Sequence, residues 1–362
     1  MHRCTERLSV LLVAMATAWG CTAEPGPEVQ AVEPPSVIAF ASCLKTRYPA
    51  PTFDHLLAAQ PDVLVMMGDN VYVDIPEVPT RAEQFRPYYD ELEAQPYWPR
   101  VRDEVPLVLA TYDDHDFGKN DAGVEWELKE TGRAELIRFF PDSAALIPAD
   151  RDGVYHATTL GPEGQRVQFI VLDTRWFRDQ PERSEVPRSQ RRGGPYLPMA
   201  DTSRTLLGEA QWAWLEEQLR QPADVRVIVS SIQVVAREHG WECWGNFPHE
   251  LERLYGLIGE TRAEGVVFLS GDRHLAELSR DTDPATPYPM WDATSSGMNQ
   301  PERAVNEPNR YRVGEVRRMS HFALLRIDWA DQPALTFEWL DDRGAVFASQ
   351  SIVLSELGFA GR

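Results

Sequence analysis

The run Val63-Leu64-Val65-Met66-Met67 is apolar at every position and is followed at once by Gly68-Asp69-Asn70-Val71-Tyr72. A strand with no polar face has to be covered on both sides, which places it inside a layered sheet. Ligands of such sheets gather beyond the carboxyl ends of the strands. The segment therefore delivers a carboxylate, Asp69, and a phenol, Tyr72, just past a buried strand. Alone, Gly-Asp after a strand is also an ordinary turn in which the Asp bonds its own backbone. The rest of the chain decides between the two.

The pattern recurs. Residues 36–42 form a short apolar strand that ends in Cys43, and residues 105–111 run straight into a loop carrying Asp113, Asp114, His115, Asp116, Asn120 and Asp121. Carboxylates that close repel one another, so such a loop is stable only if cations neutralise it or if it splays into water. Residues 166–172 deliver Asp173-Thr174-Arg175, residues 225–231 lead to Gln233, and residues 265–270 open onto Asp272-Arg273-His274. An arginine at a strand end is a rigid planar donor suited to phosphate oxygens, although a surface ion pair is the other reading of Arg175.

Between these runs, residues 53–60, 80–95, 130–140, 208–221 and 248–264 have helical character, and the alternation implies parallel βαβ pairing. Residues 154–160 and 289–296 also read as strands. The tail alternates apolar and polar over residues 322–329, 334–340 and 345–353, with Asp341-Asp342-Arg343-Gly344 as a hairpin turn, so its strands are antiparallel. The expected fold class is α/β with mixed sheets. Residues 179–204 are irregular and carry Arg183, Arg188, Arg191 and Arg192, which reads either as a lid or as a solvated loop.

The 362 residues carry a formal net charge of −20, which argues against nucleic-acid backbones or anionic lipid as partners held by bulk charge, and suits a collector of metal cations. The amino terminus reads as an export signal: Arg3 and Arg7, an apolar core over residues 8–18, then small residues before Cys21. It resembles a bacterial lipoprotein signal in which Cys21 is lipidated, with Trp19 a bulky departure from that pattern. An ordinary secretory signal cut near Cys21 fits as well, and both export the chain to the periplasm, the cell envelope or beyond. The division expected is a signal over 1–20, a Pro- and Glu-rich tether over 21–35 and one folded domain over 36–362. Membrane attachment would run only through the lipid anchor. Cys43 and Cys243 remain in the body, where a disulfide between them is left open.

In order, the strand-end residues are Cys43, Asp69 with Tyr72, Asp114 with His115, Arg175, Gln233, and Asp272 with His274. This order resembles the calcineurin-like metallophosphoesterases, and within them the alkaline phosphatase D (PhoD-like) family, whose blocks are a cysteine after the first strand, GDxxY, DDHD or DDHE, LDTR and GDxH. The resemblance covers roughly residues 36–300. It implies a four-layer αββα sandwich and an exported hydrolase of phosphate esters with a dinuclear or multinuclear metal centre. By the same resemblance Cys43, Asp69, Tyr72 and His274 would hold one ion, Fe3+, and Asp69, Asp114 and Asp272 a second, Ca2+ or another divalent ion. Asp69 would bridge the two, with Asn120, Asp113 and Gln233 as further ligands or their supports. His115 would protonate the leaving oxygen and Arg175 would hold the non-bridging phosphate oxygens. A lipoprotein that only binds a ligand or partner on this scaffold is the competing expectation. Monoester against diester preference and oligomeric state are left open.

Overall fold

The computed structural model describes residues 33–301, 305 and 307–359. The expectations for the export signal, for Cys21 and for nearly all of the tether fall outside the described residues. Among the described residues no helix is long and apolar enough to cross a membrane.

Among the described residues thirteen strands form two sheets: β1 (Val37–Ala41), β2 (Val63–Met67), β3 (Leu107–Thr111), β4 (His156–Leu160), β5 (Val167–Val171), β6 (Val225–Ser230), β7 (Val266–Ser270), β8 (Ala276–Asp281), β9 (Met290–Ser295), β10 (Arg312–Arg317), β11 (His321–Asp328), β12 (Ala334–Asp341) and β13 (Val346–Val353). The first sheet runs β13-β12-β11-β1-β2-β3 and the second β10-β8-β9-β7-β6-β5-β4. β1, β2 and β3 are parallel, as are β5, β6, β7 and β9, while the tail strands β11 to β13 pair antiparallel. Both sheets are therefore mixed, as the two patterning regimes of the sequence require.

Side chains alternate faces along each strand, and this builds the layers. Ile38, Phe40, Val63, Val65 and Met67 point inward and pack with Phe169, Val227, Val229 and Phe268 of the second sheet. The intervening Ala39, Leu64 and Met66 join Phe53, Leu56, Tyr89, Trp98, Leu136 and Phe139, which come from the helices Thr52–Ala58, Arg86–Glu93, Trp98–Glu104 and Lys129–Phe139. Helices Gly208–Leu219 and Pro248–Thr261 cover the far side of the second sheet through Trp212, Leu215, Leu254 and Ile258. The result is the expected helix-sheet-sheet-helix stack.

Two details depart from the sequence reading, and a third settles what it left open. The helix expected over 80–95 is split into a 3-10 turn, Ala82–Gln84, and the helix Arg86–Glu93, because Pro87 supplies no N–H and suits only a first turn. Strands β8 and β10 were not expected: their sequences, AELSRD and RVGEVR, are charged and lie toward the edge of the second sheet. Cys43 and Cys243 are both buried and free, so the chain carries no disulfide between them.

At one end of the stack a parallel bridge from Ser42 to Ser296 ties β1 to β9 across the two sheets. The Ser42 hydroxyl reinforces it by donating to the carbonyl of Ser295 at 3.2 Å. The carboxyl ends of β1, β2, β3, β5, β6 and β7 open at this end, and the chemistry-bearing loops collect there.

Candidate metal centre

The loop after β2 turns at Gly68, whose φ of +97° puts an added Cβ 2.6 Å from the Cβ and the amide of Asp113. Only glycine fits that approach. Asp69 follows at φ 52°, and Cys43 (62°), Asp272 (67°) and His274 (54°) share the left-handed region. Non-glycine residues rarely adopt it, and such strain is retained where the surrounding structure has a use for the side-chain direction.

The three loops bring their side chains together. The Cys43 thiol lies 3.5 Å from Oδ2 of Asp69, and the Tyr72 hydroxyl lies 3.2 Å from that same oxygen. Nε2 of His274 is 3.2 Å from the Tyr72 hydroxyl. Ser296 supports this corner, with its Oγ 3.0 Å from Cys43 Sγ and 2.7 Å from the His274 backbone N–H that donates to it. Ligand atoms of Cys43, Asp69 and His274 all lie within 4.8 Å of one another, and so do those of Asp113, Asp114 and Asp272. Asp69 with Asp114 and His115, and Asp114 with Asp121 and Glu242, form two further such groups. Asp69 and Asp114 thus connect a thiol-imidazole-phenol corner to a carboxylate corner.

Asp116 holds the two loops together. Its carboxylate accepts from the backbone N–H of Asp69 (3.3 Å), Asn70 (3.0 Å) and Asp113 (2.6 Å) and from the Asn70 amide at 2.6 Å. The one-turn helix Asp114–Phe117 then carries His115, whose Nδ1 lies 2.7 Å from Oδ1 of Asp74. The Tyr72 and His115 rings pack with centroids 4.2 Å apart.

Electrostatics show how poorly these groups tolerate one another without cations. Burial, aggravated by neighbouring carboxylates, pushes Cys43, Asp69, Tyr72 and Asp272 well above their ordinary values. Burial also lowers the His274 imidazole to about 4, with His115 and Arg273 adding to the effect, so this ring stays neutral with a lone pair to give. Burial likewise opposes charge on His115, but Asp114, Asp69 and Asp74 outweigh it and hold its proton well above the ordinary range. Oδ2 of Asp113 and Oδ1 of Asp114 are buried with no hydrogen-bond partner among the described residues. Buried carboxylate oxygens are seldom left that way. The donor set fits metal ions: sulfur, nitrogen and phenol at one corner, hard oxygens at the other.

Arg175 lies inside the protein beside this cluster. Its side chain is fully buried, Nε donates to Asp113 Oδ1 at 2.7 Å, and Nη1 donates to Glu242 Oε1 at 3.0 Å, with Arg178 sharing Glu242. Its Nη2 lies within ion-pair distance of Asp113 (2.6 Å) and Glu242 (2.9 Å), so the guanidinium anchors Asp113, and it does not line the cavity. The Gln233 amide donates to Glu277 (2.9 Å) and Thr294 (2.8 Å), between β8 and β9. Asn120 lines the cavity while its backbone N–H donates to Asp74 at 2.8 Å. The cavity, about 470 Å³, is lined by Asp69, Asp114, His115, Asp121, Asp272 and His274 and also by Arg188, Arg191, Arg192 and Arg273, with Glu242 and Glu307 beside them. Asp74, Ser296 and Glu242 are the members the sequence reading did not assign. Asp74 had a faint signal, standing two residues after Tyr72 in the same loop, whereas Ser296 had none.

The sheets, the strand-end loops and the clustered donors define a metal-dependent phosphoesterase. The chain matches the PhoD-like phosphatase family over residues 38–348 and belongs to that family. It is a hydrolase acting on phosphoric esters, with a multinuclear metal centre. No curated protein matches the sequence. Among solved structures it is similar to PhoD, with 18% identity, a TM-score of 0.73, and 92% of this chain and 72% of that one covered. It also resembles a dimetal phosphatase from Danio rerio, with 13% identity, a TM-score of 0.55 and coverage of 89% and 100%. Purple acid phosphatase from yellow lupin seeds gives 11% identity, a TM-score of 0.56 and coverage of 90% and 54%.

Proposed function

We propose that Cys43, Asp69, Tyr72 and His274 hold one cation, Asp69, Asp114 and Asp272 hold a second with Asp113 beside it, and Asp69 is shared between them. The observation that carries this is the convergence on Asp69 Oδ2 of the Cys43 thiol at 3.5 Å and the Tyr72 hydroxyl at 3.2 Å, with His274 3.2 Å beyond. A thiolate and a phenolate favour ferric iron at the first position, and the all-oxygen set favours calcium or another hard divalent ion at the second. Bound cations supply the Lewis acidity that activates water and neutralises phosphoryl oxygens.

The chain's own residues do the rest. Asp74 engages Nδ1 of His115, which leaves Nε2 as the ring nitrogen facing the cavity, where it hands a proton to the departing oxygen of the ester. Arg175 acts through Asp113, holding that carboxylate in place on the β3 loop. The protein is exported, on this reading, with Cys21 as the residue that carries a lipid anchor. Elemental analysis of purified protein, together with hydrolysis of p-nitrophenyl phosphate and its bis-ester, tests the assignment. Metal-free protein that stays inactive after reconstitution with iron and calcium would overturn it.

A further inference from the structure

We propose that Arg191, with Arg188 and Arg192 beside it, forms a subsite for a second phosphate of the substrate, separate from the one whose ester is cleaved. The proposal rests on reading the acidic wall of the cavity as the hydrolytic centre. The cavity lining mixes the carboxylates of that centre with four arginines, and the arginines are not explained by that centre.

Nε and Nη1 of Arg191 are both shielded from solvent and have no hydrogen-bond partner among the described residues, although the residue lines the cavity. The residue is half-buried, and donors shielded from water in this way are costly to leave idle unless something arrives to accept from them. Among the described residues no carboxylate lies within ion-pair distance of Arg188, Arg191 or Arg192, in a chain with 56 acidic residues and a net charge of −20. The other cation of this wall, Arg273, is already paired with Glu307 at 2.6 Å. Three neighbouring cations without a carboxylate partner, in so acidic a protein, point to an anion from outside.

The loop that carries them is docked. The backbone of Gly194 donates to the carbonyl of His239 at 2.8 Å and that of Tyr196 to Gly240 at 2.7 Å. A side chain at Gly193 or Gly194 would collide with those carbonyls. Tyr196 donates from its hydroxyl to Asp121, and the backbone N–H of Asp121 donates to Asp114 Oδ2 at 2.7 Å, so the loop is tied to the acidic wall. Arg188 donates to the Gly193 carbonyl at 3.2 Å and lies 5.3 Å from the centre of the Trp241 ring. The docked backbone fixes where these arginines stem from and Arg188 is held in addition by its side chain, and a guanidinium fork matches two phosphate oxygens at once. A volume of about 470 Å³ falls within the range of small-ligand pockets and exceeds what one phosphate fills.

The test measures kcat/KM of the metal-loaded enzyme on three substrates: p-nitrophenyl phosphate with one anionic group, ADP with its second phosphate across a pyrophosphate bond, and pTpT with its second phosphate across a nucleoside. Arg191→Ala should lower the ratio of ADP or pTpT to p-nitrophenyl phosphate by about tenfold or more, through KM, with Arg191→Lys losing less. Arg204→Ala, in the same loop but bonded to Asp179, should leave the ratio where it was. Whichever of the two substrates shows the drop identifies the linkage. An equal fall on all three, or wild-type turnover of p-nitrophenyl phosphate with no preference for either bisphosphate, overturns the subsite. Calorimetric binding of inorganic pyrophosphate and phosphate gives a readout independent of turnover: their affinity gap should narrow about tenfold in Arg191→Ala, and an unchanged gap contradicts the proposal. Wild-type enzyme that hydrolyses none of the three instead overturns the hydrolytic reading, with the binding comparison still deciding the arginines.

Discussion

Asp74 holds His115: Oδ1 of the carboxylate lies 2.7 Å from Nδ1 of the ring, and Oδ2 accepts the backbone N–H of Asn120 at 2.8 Å. The pair fixes the tautomer and the ring plane, as a carboxylate behind a working imidazole generally does. Asp74→Asn should therefore keep its metal content and lose about 10- to 100-fold in kcat, with the pH profile displaced. An unchanged rate and profile would show that the contact is only structural.

His115→Ala should retain metal and lose rate in proportion to how poor the leaving group is. A group that protonates the departing oxygen matters least when that oxygen leaves as p-nitrophenolate, and most for an alkyl ester, where general acid catalysis is worth about 10²- to 10⁴-fold. A uniform loss across leaving groups would assign His115 to binding.

Arg175 separates a structural from a substrate role. Its partners Asp113 and Glu242 are both buried, and while Glu242 keeps Arg178, Arg175→Ala leaves Asp113 without a cation and should cost about 3–5 kcal/mol of stability. Denaturant unfolding measures it. A variant of unaltered stability whose KM alone rises would restore the arginine to the substrate. This residue also shows where sequence reasoning reaches its limit. Cys43, Asp69, Asp114, Asp272 and His274 were legible because each stands directly after an apolar strand, and the end of a strand fixes where its next residue goes. Arg175 stands there too, but its direction depends on Asp113 and Glu242, partners 62 and 67 residues away that no local pattern announces. Asp74 needed the fold to bring it to His115, 41 residues further on. β8 and β10 stayed hidden for a related reason: Glu277 in β8 is buried only because Arg312 of β10 and the Gln233 amide satisfy it.

His156 sets an acid limit on stability remote from the metal centre. Burial lowers its imidazole to about 4, opposed by Nδ1–H donating to the Val154 carbonyl at 2.8 Å. The unfolded chain binds this proton from about pH 6.5 downward and the folded chain does not, so stability rises with pH across this window and is lost as pH falls from about 6.5 to 4. The contribution is on the order of 3 kcal/mol. Asn at this position can keep the N–H donor, so His156→Asn should flatten the slope of unfolding free energy between pH 7 and 5. An identical slope would place the acid lability elsewhere.

The shared carboxylate of Asp69 is the claim on which the others depend, and metal stoichiometry in Asp69→Asn tests it most directly. An amide at this position gives up the negative charge that two cations need between them, in a site where every other donor belongs to one corner or the other. Elemental analysis of the purified variant beside wild type should show both metals lost together, along with hydrolysis of p-nitrophenyl phosphate. Retention of two metal equivalents with full activity would contradict the account.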